Sequence, residues 1–106
     1  MRHMTATELH AYLKQDGEPP FLLDVREPWE FQYCHIDGSE LVPMRGIPDA
    51  LEQLDAHRET VVICHHGIRS RHVASFLEQA GFSNVINLTG GVDAWAKDVD
   101  PSMPKY

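Results

Sequence analysis

The sequence predicts an α/β fold with a mainly parallel β-sheet that carries helices on both faces. Short apolar runs at residues 21–23, 61–63 and 85–88 have the length and composition of strands buried on both sides. Apolar residues also recur at helical spacing over residues 73–80, between the last two of these strands. Because strands and helices alternate on short connections, the crossovers bring the strands into parallel order.

The first half of the chain contains a helix, a strand and a second, short helix. Thr5 and Glu8 form a capping box that predicts a helix start, and the helical pattern ends at the Asp-Gly pair of residues 16–17. The buried strand at residues 21–23 follows. Pro28 is suited to the first turn of the next helix, which precedes a turn and a brief apolar pair.

The second half repeats the alternation of helix and strand. Pro48 can begin a helix ahead of the β-branched strand at residues 61–63, and Gly81 is suited to the end of the helix after that strand. The last strand leads to a glycine turn and a final amphipathic helix, and residues 98–106 are expected to form a partly irregular tail. All of these elements belong to one predicted domain, residues 1–106.

Length and charge limit the functions that this chain can have. With 106 residues, 42% of them apolar, it is long enough for one compact core and too short for two. Nine Lys and Arg against 16 Asp and Glu give a net charge of −7, which argues against nucleic acid or an anionic membrane as a general partner. Because no apolar run approaches the roughly 20 residues that span a bilayer, and the start lacks a signal-peptide core, we expect a cytoplasmic protein.

Two cysteines and seven histidines are the candidates for a disulfide or a metal site. Cys34 and Cys64 lack the Cys or Cys/His spacing of a zinc site, and a reducing compartment keeps such thiols free. His65 and His66 are adjacent, and neighbouring residues rarely chelate one tetrahedral ion. The sequence therefore predicts no metal, and it favours a packing role over a resolving role for Cys34.

Cys64 follows the strand at residues 61–63 directly and precedes a glycine-containing, cationic loop. A cysteine reacts as its thiolate, which needs an environment that favours the anion. Backbone N–H groups that wrap from a strand into a helix, with the helix N-terminus behind them, provide such an environment. Arg69 and the nearby histidines also make this the most cation-rich part of an acidic chain. We expect Cys64 to be a nucleophile that acts on anionic substrates.

Further polar and glycine residues are expected at the same edge of the sheet. Asp24 and the pair Gly90 and Gly91 also come directly after strands, and ligands of parallel sheets gather beyond the carboxyl ends of the strands. The two glycines allow close backbone approach beside the Cys64 loop. Asp24 is expected to touch this loop from the neighbouring strand.

A nucleophilic cysteine in a loop of N–H donors suits two reactions, sulfur transfer and phosphoryl transfer through a thiophosphate. Loop length distinguishes them. Arg69 follows Cys64 after four intervening residues, whereas a phosphatase-type loop has its Arg one residue later, where this chain has Ser70. The shorter loop favours sulfur transfer. A noncatalytic interaction module on the same fold is a third alternative, which the presence of Cys64 disfavours.

Several stretches of the sequence resemble signatures of the rhodanese superfamily. They are LDVREPWEF at residues 23–31, HIDGS at residues 35–39, and Gly90 and Gly91 with Trp95. The stretch CHHGIRS at residues 64–70 closely resembles the active loop of single-domain bacterial members. The resemblance extends from about the first helix to Trp95. It implies a five-stranded sheet in the order 1-5-4-2-3, with a short N-terminal strand near residues 3–5 that the periodicity does not show.

The resemblance also implies a reaction and a set of site residues. The Cys64 thiolate would attack the outer sulfur of thiosulfate or a related anionic donor, and the persulfide would yield its sulfur to cyanide or a thiol, including a protein thiol. No cofactor is implied. The loop residues expected to bind the substrate are His65, His66, Gly67, Ile68, Arg69 and Ser70, and the supporting residues are Asp24, Arg26, Glu30, Gly90 and Gly91.

Individual side chains of this set have distinct expected roles. Arg69 is expected to attract the anionic donor. His65 and His66 are expected to diverge, so that no more than one of them faces the pocket. Arg26 and Glu30 are expected to form a structural ion pair that fixes the loop after the strand. The oligomeric state stays open between a monomer and a homodimer.

Overall fold

The computed structural model describes residues 1–106 as an alternation of five strands and five α-helices. The strands are β1 (Arg2–Met4), β2 (Phe21–Asp24), β3 (Glu40–Leu41), β4 (Thr60–Ile63) and β5 (Val85–Leu88). The helices are α1 (Ala6–Leu13), α2 (Pro28–Tyr33), α3 (Ile47–Ala50), α4 (Ile68–Gln79) and α5 (Gly91–Asp98), with 3₁₀ turns at Met44–Gly46 and Leu51–Gln53.

All five strands form one parallel sheet in the order β1-β5-β4-β2-β3. This confirms the α/β class, and it confirms the strand order that the resemblance implied. Strand β1 lies at Arg2–Met4, one residue earlier than expected, because Thr5 is already the N-cap of α1 and accepts from the Glu8 amide. A strand of three largely exposed residues has no apolar alternation, so periodicity does not detect it.

Side chains alternate across the sheet and build a core on each face. In β4, Val61 and Ile63 pack with residues of α1 and α5, whereas Val62 packs with residues of α4. Strand β4 is buried along its whole length, as β-branched residues in a central parallel strand should be. The carboxyl end of β4, where Cys64 follows, is therefore enclosed between two layers of helices.

Helix α4 begins directly after the loop that follows β4. Within it Val73 and Leu77 are buried, whereas Phe76 of the same apolar repeat is 39% exposed. Gly81 follows the C-cap Ala80 with a φ of +100°, a left-handed conformation that ends helices without a Cβ penalty. None of the helices combines the length and apolar character that crossing a bilayer requires.

Candidate active site

The Cys64 loop connects the end of β4 to the start of α4 through a tight turn at Gly67. Gly67 is the N-cap of α4 and has a φ of +99°, a conformation that favours glycine. A Cβ at this position would also lie 3.1 Å from the Gly90 nitrogen and 3.3 Å from the Leu88 oxygen. The loop can therefore close onto the neighbouring strand end because residue 67 carries no side chain.

The turn that ends at Gly91 lies directly against this loop. The Val92 amide donates to the Cys64 carbonyl at 2.9 Å, and the Asp93 amide donates to the His65 carbonyl at 3.0 Å. A Cβ on Gly91 would lie 2.2 Å from the Cys64 oxygen, so this position excludes a side chain. The close backbone approach expected of the two glycines is present, and it attaches the loop to the start of α5.

The loop encloses the Cys64 sulfur. Cys64 is 1% exposed, and the Gly67 amide donates to its Sγ at 3.0 Å. The Ser70 hydroxyl oxygen lies 3.4 Å from Sγ, where it accepts from the thiol, and this hydroxyl donates to Asn87 at 2.5 Å. The sequence predicts a ring of amides from His65 to Ser70 around the sulfur. In the structure one amide of this stretch, that of Gly67, donates to the sulfur.

Cys64 is buried and does not lie in a pocket of the protein surface. No cleft of the protein surface is lined by Cys64. Ile68, at the outer edge of the loop, is 60% exposed. A reactant therefore has to reach a buried sulfur, which favours a slender group such as a terminal sulfur atom.

Arg26 and Glu30 do not form the expected ion pair. The Arg26 guanidinium pairs with the Asp24 carboxylate at 2.7 Å, and both side chains are fully buried. Its direct contact with Glu30 is a 3.4 Å bond to the backbone carbonyl. The prediction is wrong because α2 begins at Pro28, so Arg26 precedes the helix and does not share a helical face with Glu30. Asp24, expected to touch the Cys64 loop, bonds to Arg26 instead.

Glu30 pairs with Arg69. Its two carboxylate oxygens accept from both terminal nitrogens of Arg69, at 2.7 and 2.9 Å. The bond from Arg69 lowers the pKa of Glu30 to about 2 against the effect of burial, and the same bond raises the pKa of Arg69. The charge of Arg69, expected to attract the donor, is therefore balanced within the protein.

Tyr106 is a residue of this site that the sequence did not indicate. Its hydroxyl accepts from Arg26 Nη1 at 2.8 Å and donates to Glu30 Oε2 at 2.7 Å, while its ring stacks on His65 at a centroid distance of 3.9 Å. Burial raises the pKa of Tyr106 to about 12, with Arg26 opposing and Glu30 adding to the effect. After α5 the chain forms no further helix or strand, so an aromatic residue in a polar tail was the one available signal.

His65 and His66 lie side by side instead of diverging. Their ring centroids are 3.9 Å apart, with the ring planes tilted by 33°. His65 is half-buried and His66 is exposed. Burial, followed by the neighbouring His66, lowers the pKa of His65. The prediction of divergence is wrong because the alternation of side chains holds for extended strands, and the chain is already turning into α4 at these residues.

The fold and the loop define a class of protein. A cysteine at the junction of a buried parallel strand and a helix N-terminus, with a loop amide bonded to its sulfur, is typical of domains that use a thiol for group transfer. Residues 5–98 match the family model described as the rhodanese-like domain. The chain belongs to the rhodanese-like sulfurtransferase family.

Curated relatives differ in how much of their own length matches this chain. "Rhodanese-like/PpiC domain-containing protein 12, chloroplastic" of Arabidopsis thaliana is 36% identical over 115 residues, which cover 100% of this chain and 38% of that protein. "Thiosulfate sulfurtransferase GlpE" of Pseudomonas aeruginosa is 33% identical over 90 residues, which cover 85% of this chain and 80% of that protein. The chain spans only 21–38% of the length of the first curated relatives that it matches.

A solved structure supports the fold over the whole chain. The crystal structure of a rhodanese-like domain protein from Staphylococcus aureus superposes with a TM-score of 0.86 at 30% sequence identity. The match covers 100% of this chain and 99% of that chain. The five-stranded architecture is therefore that of a rhodanese-like domain.

Proposed function

We propose that this domain transfers sulfane sulfur from thiosulfate or a related anionic donor to cyanide or a thiol, through a persulfide on Cys64. The observation that carries the proposal is the Gly67 amide, which donates to Cys64 Sγ at 3.0 Å at the N-terminus of α4. A backbone donor and a helix N-terminus both stabilise an anionic sulfur. The relatives named as sulfurtransferases support the reaction class.

In the first step, the Cys64 thiolate attacks the outer sulfur of the donor. With thiosulfate, a sulfur–sulfur bond forms at Sγ, the bond within thiosulfate breaks, and sulfite leaves with the electron pair. The Gly67 amide stabilises the anionic sulfur before the attack. Ser70 accepts from the protonated thiol, whose proton passes to solvent as the thiolate forms.

In the second step, the acceptor attacks the outer sulfur of the persulfide. The Cys64 thiolate is the leaving group, so cyanide becomes thiocyanate and a thiol becomes a persulfide. Electrons balance over the two steps without a cofactor. The thiol acceptor of this step can be a small thiol or a protein thiol.

We also propose that this reaction takes place in the cytoplasm. Both cysteines are free, as a reducing compartment would keep them. Cys34 is 7% exposed and lies 3.9 Å from the Arg26 guanidinium. These contacts favour packing for Cys34 over a role in resolving the Cys64 persulfide.

Steady-state kinetics test the two-step reaction. Double-reciprocal plots of sulfite release against thiosulfate, at several fixed cyanide concentrations, are expected to give parallel lines, because a covalent intermediate separates the two substrates. Cys64→Ser should abolish turnover, and Cys34→Ser should keep it. Intersecting lines, or turnover in Cys64→Ser, would contradict the proposal, and hydrolysis of an aryl phosphate in place of sulfur transfer would support the phosphatase alternative.

A further inference from the structure

Three side chains that can bind metals meet beside the Cys64 loop: His65 and His66 from the loop, and Asp93 from the first turn of α5. Their ligand atoms, one from each residue, all lie within 4.8 Å of one another. The Asp93 amide donates to the His65 carbonyl at 3.0 Å, so the backbone holds the two elements together. We propose that this His–His–Asp cluster binds a divalent transition-metal ion such as Zn²⁺. The proposal goes beyond sulfur transfer and does not rest on it.

The sequence predicted no metal, partly because adjacent histidines rarely chelate one ion. In the structure the rings of His65 and His66 lie 3.9 Å apart at a tilt of 33°, and a third ligand is close to them. Asp93 supplies it from a distant part of the chain, because the glycine turn before α5 packs against the loop.

The donor set determines the class of ion. Two imidazoles and one carboxylate, with water in the fourth position, form a common site for zinc and related ions, whereas Mg²⁺ and Ca²⁺ prefer oxygen ligands. The Cys64 sulfur is not part of the set, since it contacts Gly67 and Ser70. His66 is exposed, so the fourth position is open to solvent. The cluster therefore favours borderline ions such as Zn²⁺ and Co²⁺.

The surroundings of His65 prepare its ring for coordination. The ring stacks on Tyr106 with an interplanar angle of 6°, which fixes its orientation. Zinc bonds of about 2.0–2.1 Å hold tetrahedral ligands about 3.3 Å apart, so the cluster has to contract on binding. The exposed His66 ring can rotate to achieve this.

Lys97 competes with a metal ion for the same carboxylate. Its Nζ lies 3.0 Å from Asp93 Oδ2, one helical turn further along α5, and its side chain is 58% exposed. A bound cation would have to replace or share this partner. Removal of the Lys97 charge should therefore tighten metal binding at this cluster, whereas adventitious binding to exposed histidines would not respond.

A cobalt titration of the Cys64→Ser protein tests the proposal. This variant lacks the thiolate as a competing ligand and lacks sulfur transfer, so the result is independent of the proposed function. Tetrahedral Co²⁺ absorbs visible light, and growth of this absorption band reports both affinity and stoichiometry. One equivalent of Co²⁺ is expected to bind, and Zn²⁺ is expected to displace it. Failure to form the band would overturn the proposal.

Single substitutions in the same protein assign the ligands. His66→Ala and Asp93→Asn are each expected to weaken Co²⁺ binding at least about tenfold, and Lys97→Met is expected to strengthen it. His72→Ala is the matched control, because His72 is an exposed histidine of α4 outside the cluster, and it should leave the affinity unchanged. Unchanged affinity in the first three variants, or an equal loss in His72→Ala, would show adventitious binding only and overturn the proposal.

Discussion

Glu30 bonds to Arg69 through both carboxylate oxygens, at 2.7 and 2.9 Å, and this pair joins α2 to the first turn of α4. The same carboxylate accepts from Tyr106, whose hydroxyl accepts from Arg26, which in turn pairs with Asp24. These largely buried polar groups form a continuous hydrogen-bonded network that supports the loop before α4. Because removal of any one side chain leaves its partner unsatisfied, the network predicts the effect of single substitutions.

Arg26→Met is expected to be the most destabilising substitution in this hydrogen-bonded network. It leaves the Asp24 carboxylate fully buried without its ion-pair partner, which typically costs about 3–5 kcal/mol. Urea unfolding followed by circular dichroism measures the loss. Arg45→Met is the matched control, because Arg45 and Glu27 form an exposed ion pair worth about 0–1 kcal/mol. Equally small losses in both variants would contradict the structural role of the buried pair.

Tyr106→Phe is expected to lower the free energy of unfolding by about 1–3 kcal/mol at neutral pH. The phenylalanine ring can still stack on His65, but the bonds of the hydroxyl to Arg26 and Glu30 are lost. Denaturant titration of the two proteins measures the difference. Tyr33→Phe controls for a tyrosine hydroxyl whose single bond is long and exposed, and it should be nearly neutral. A neutral Tyr106→Phe would show that the hydroxyl does not hold the site.

Glu30→Gln is expected to change how stability depends on pH. Folding lowers the pKa of Glu30 from 4.5 to about 2, mainly through the bond from Arg69. A lowered pKa contributes stability that is present above the unfolded value and is lost as the pH falls through the folded one. The wild type should therefore lose stability between pH 4.5 and about 2 more steeply than Glu30→Gln. Urea midpoints across this range measure the slopes.

Glu52→Gln provides the control for this experiment. Glu52 is exposed and belongs to no ion pair of the structure. Glu52→Gln should lose stability with falling pH as steeply as the wild type does. If Glu30→Gln and the wild type share one slope, the Glu30 carboxylate does not hold Arg69 in solution.

Gly91→Ala is expected to disturb the Cys64 loop as well as the stability of the fold. The new Cβ would lie 2.2 Å from the Cys64 oxygen, and the φ of +56° adds strain. Gly38→Ala separates the two effects, because Gly38 also has a positive φ but has nothing within 4 Å of an added Cβ. Gly38→Ala should cost about 1–2 kcal/mol and retain sulfur transfer. Gly91→Ala should cost more and lose most of the activity, and equal behaviour of the two would contradict the close packing.

The sequence alone predicted the elements that have a recognisable local pattern. Strand β4 is β-branched, α1 has its capping box at Thr5 and Glu8, and α4 repeats apolar residues at helical spacing. The position of Cys64 between strand and helix followed from these elements. The apolar pattern does not predict strand β1, because its three residues pair with β5 but are largely exposed.

Side-chain partners were harder to predict because they depend on where each element begins and on packing between distant segments. Arg26 does not form an ion pair with Glu30, because α2 starts two residues after Arg26. Glu30 pairs with Arg69 instead. Tyr106 reaches the site from a segment without secondary structure. The proximity of His65 to Asp93 likewise requires the glycine turn to be in place, which no local pattern describes.

We expect the Cys64 sulfur to accept one further sulfur atom, and intact-protein mass spectrometry after incubation with thiosulfate measures this gain. The wild type and Cys34→Ser are expected to gain about 32 Da, the mass of one sulfur, and to lose it again with a reducing thiol. Cys64→Ser is expected to gain nothing. An unchanged wild-type mass, or a gain that persists in Cys64→Ser, would contradict the claim.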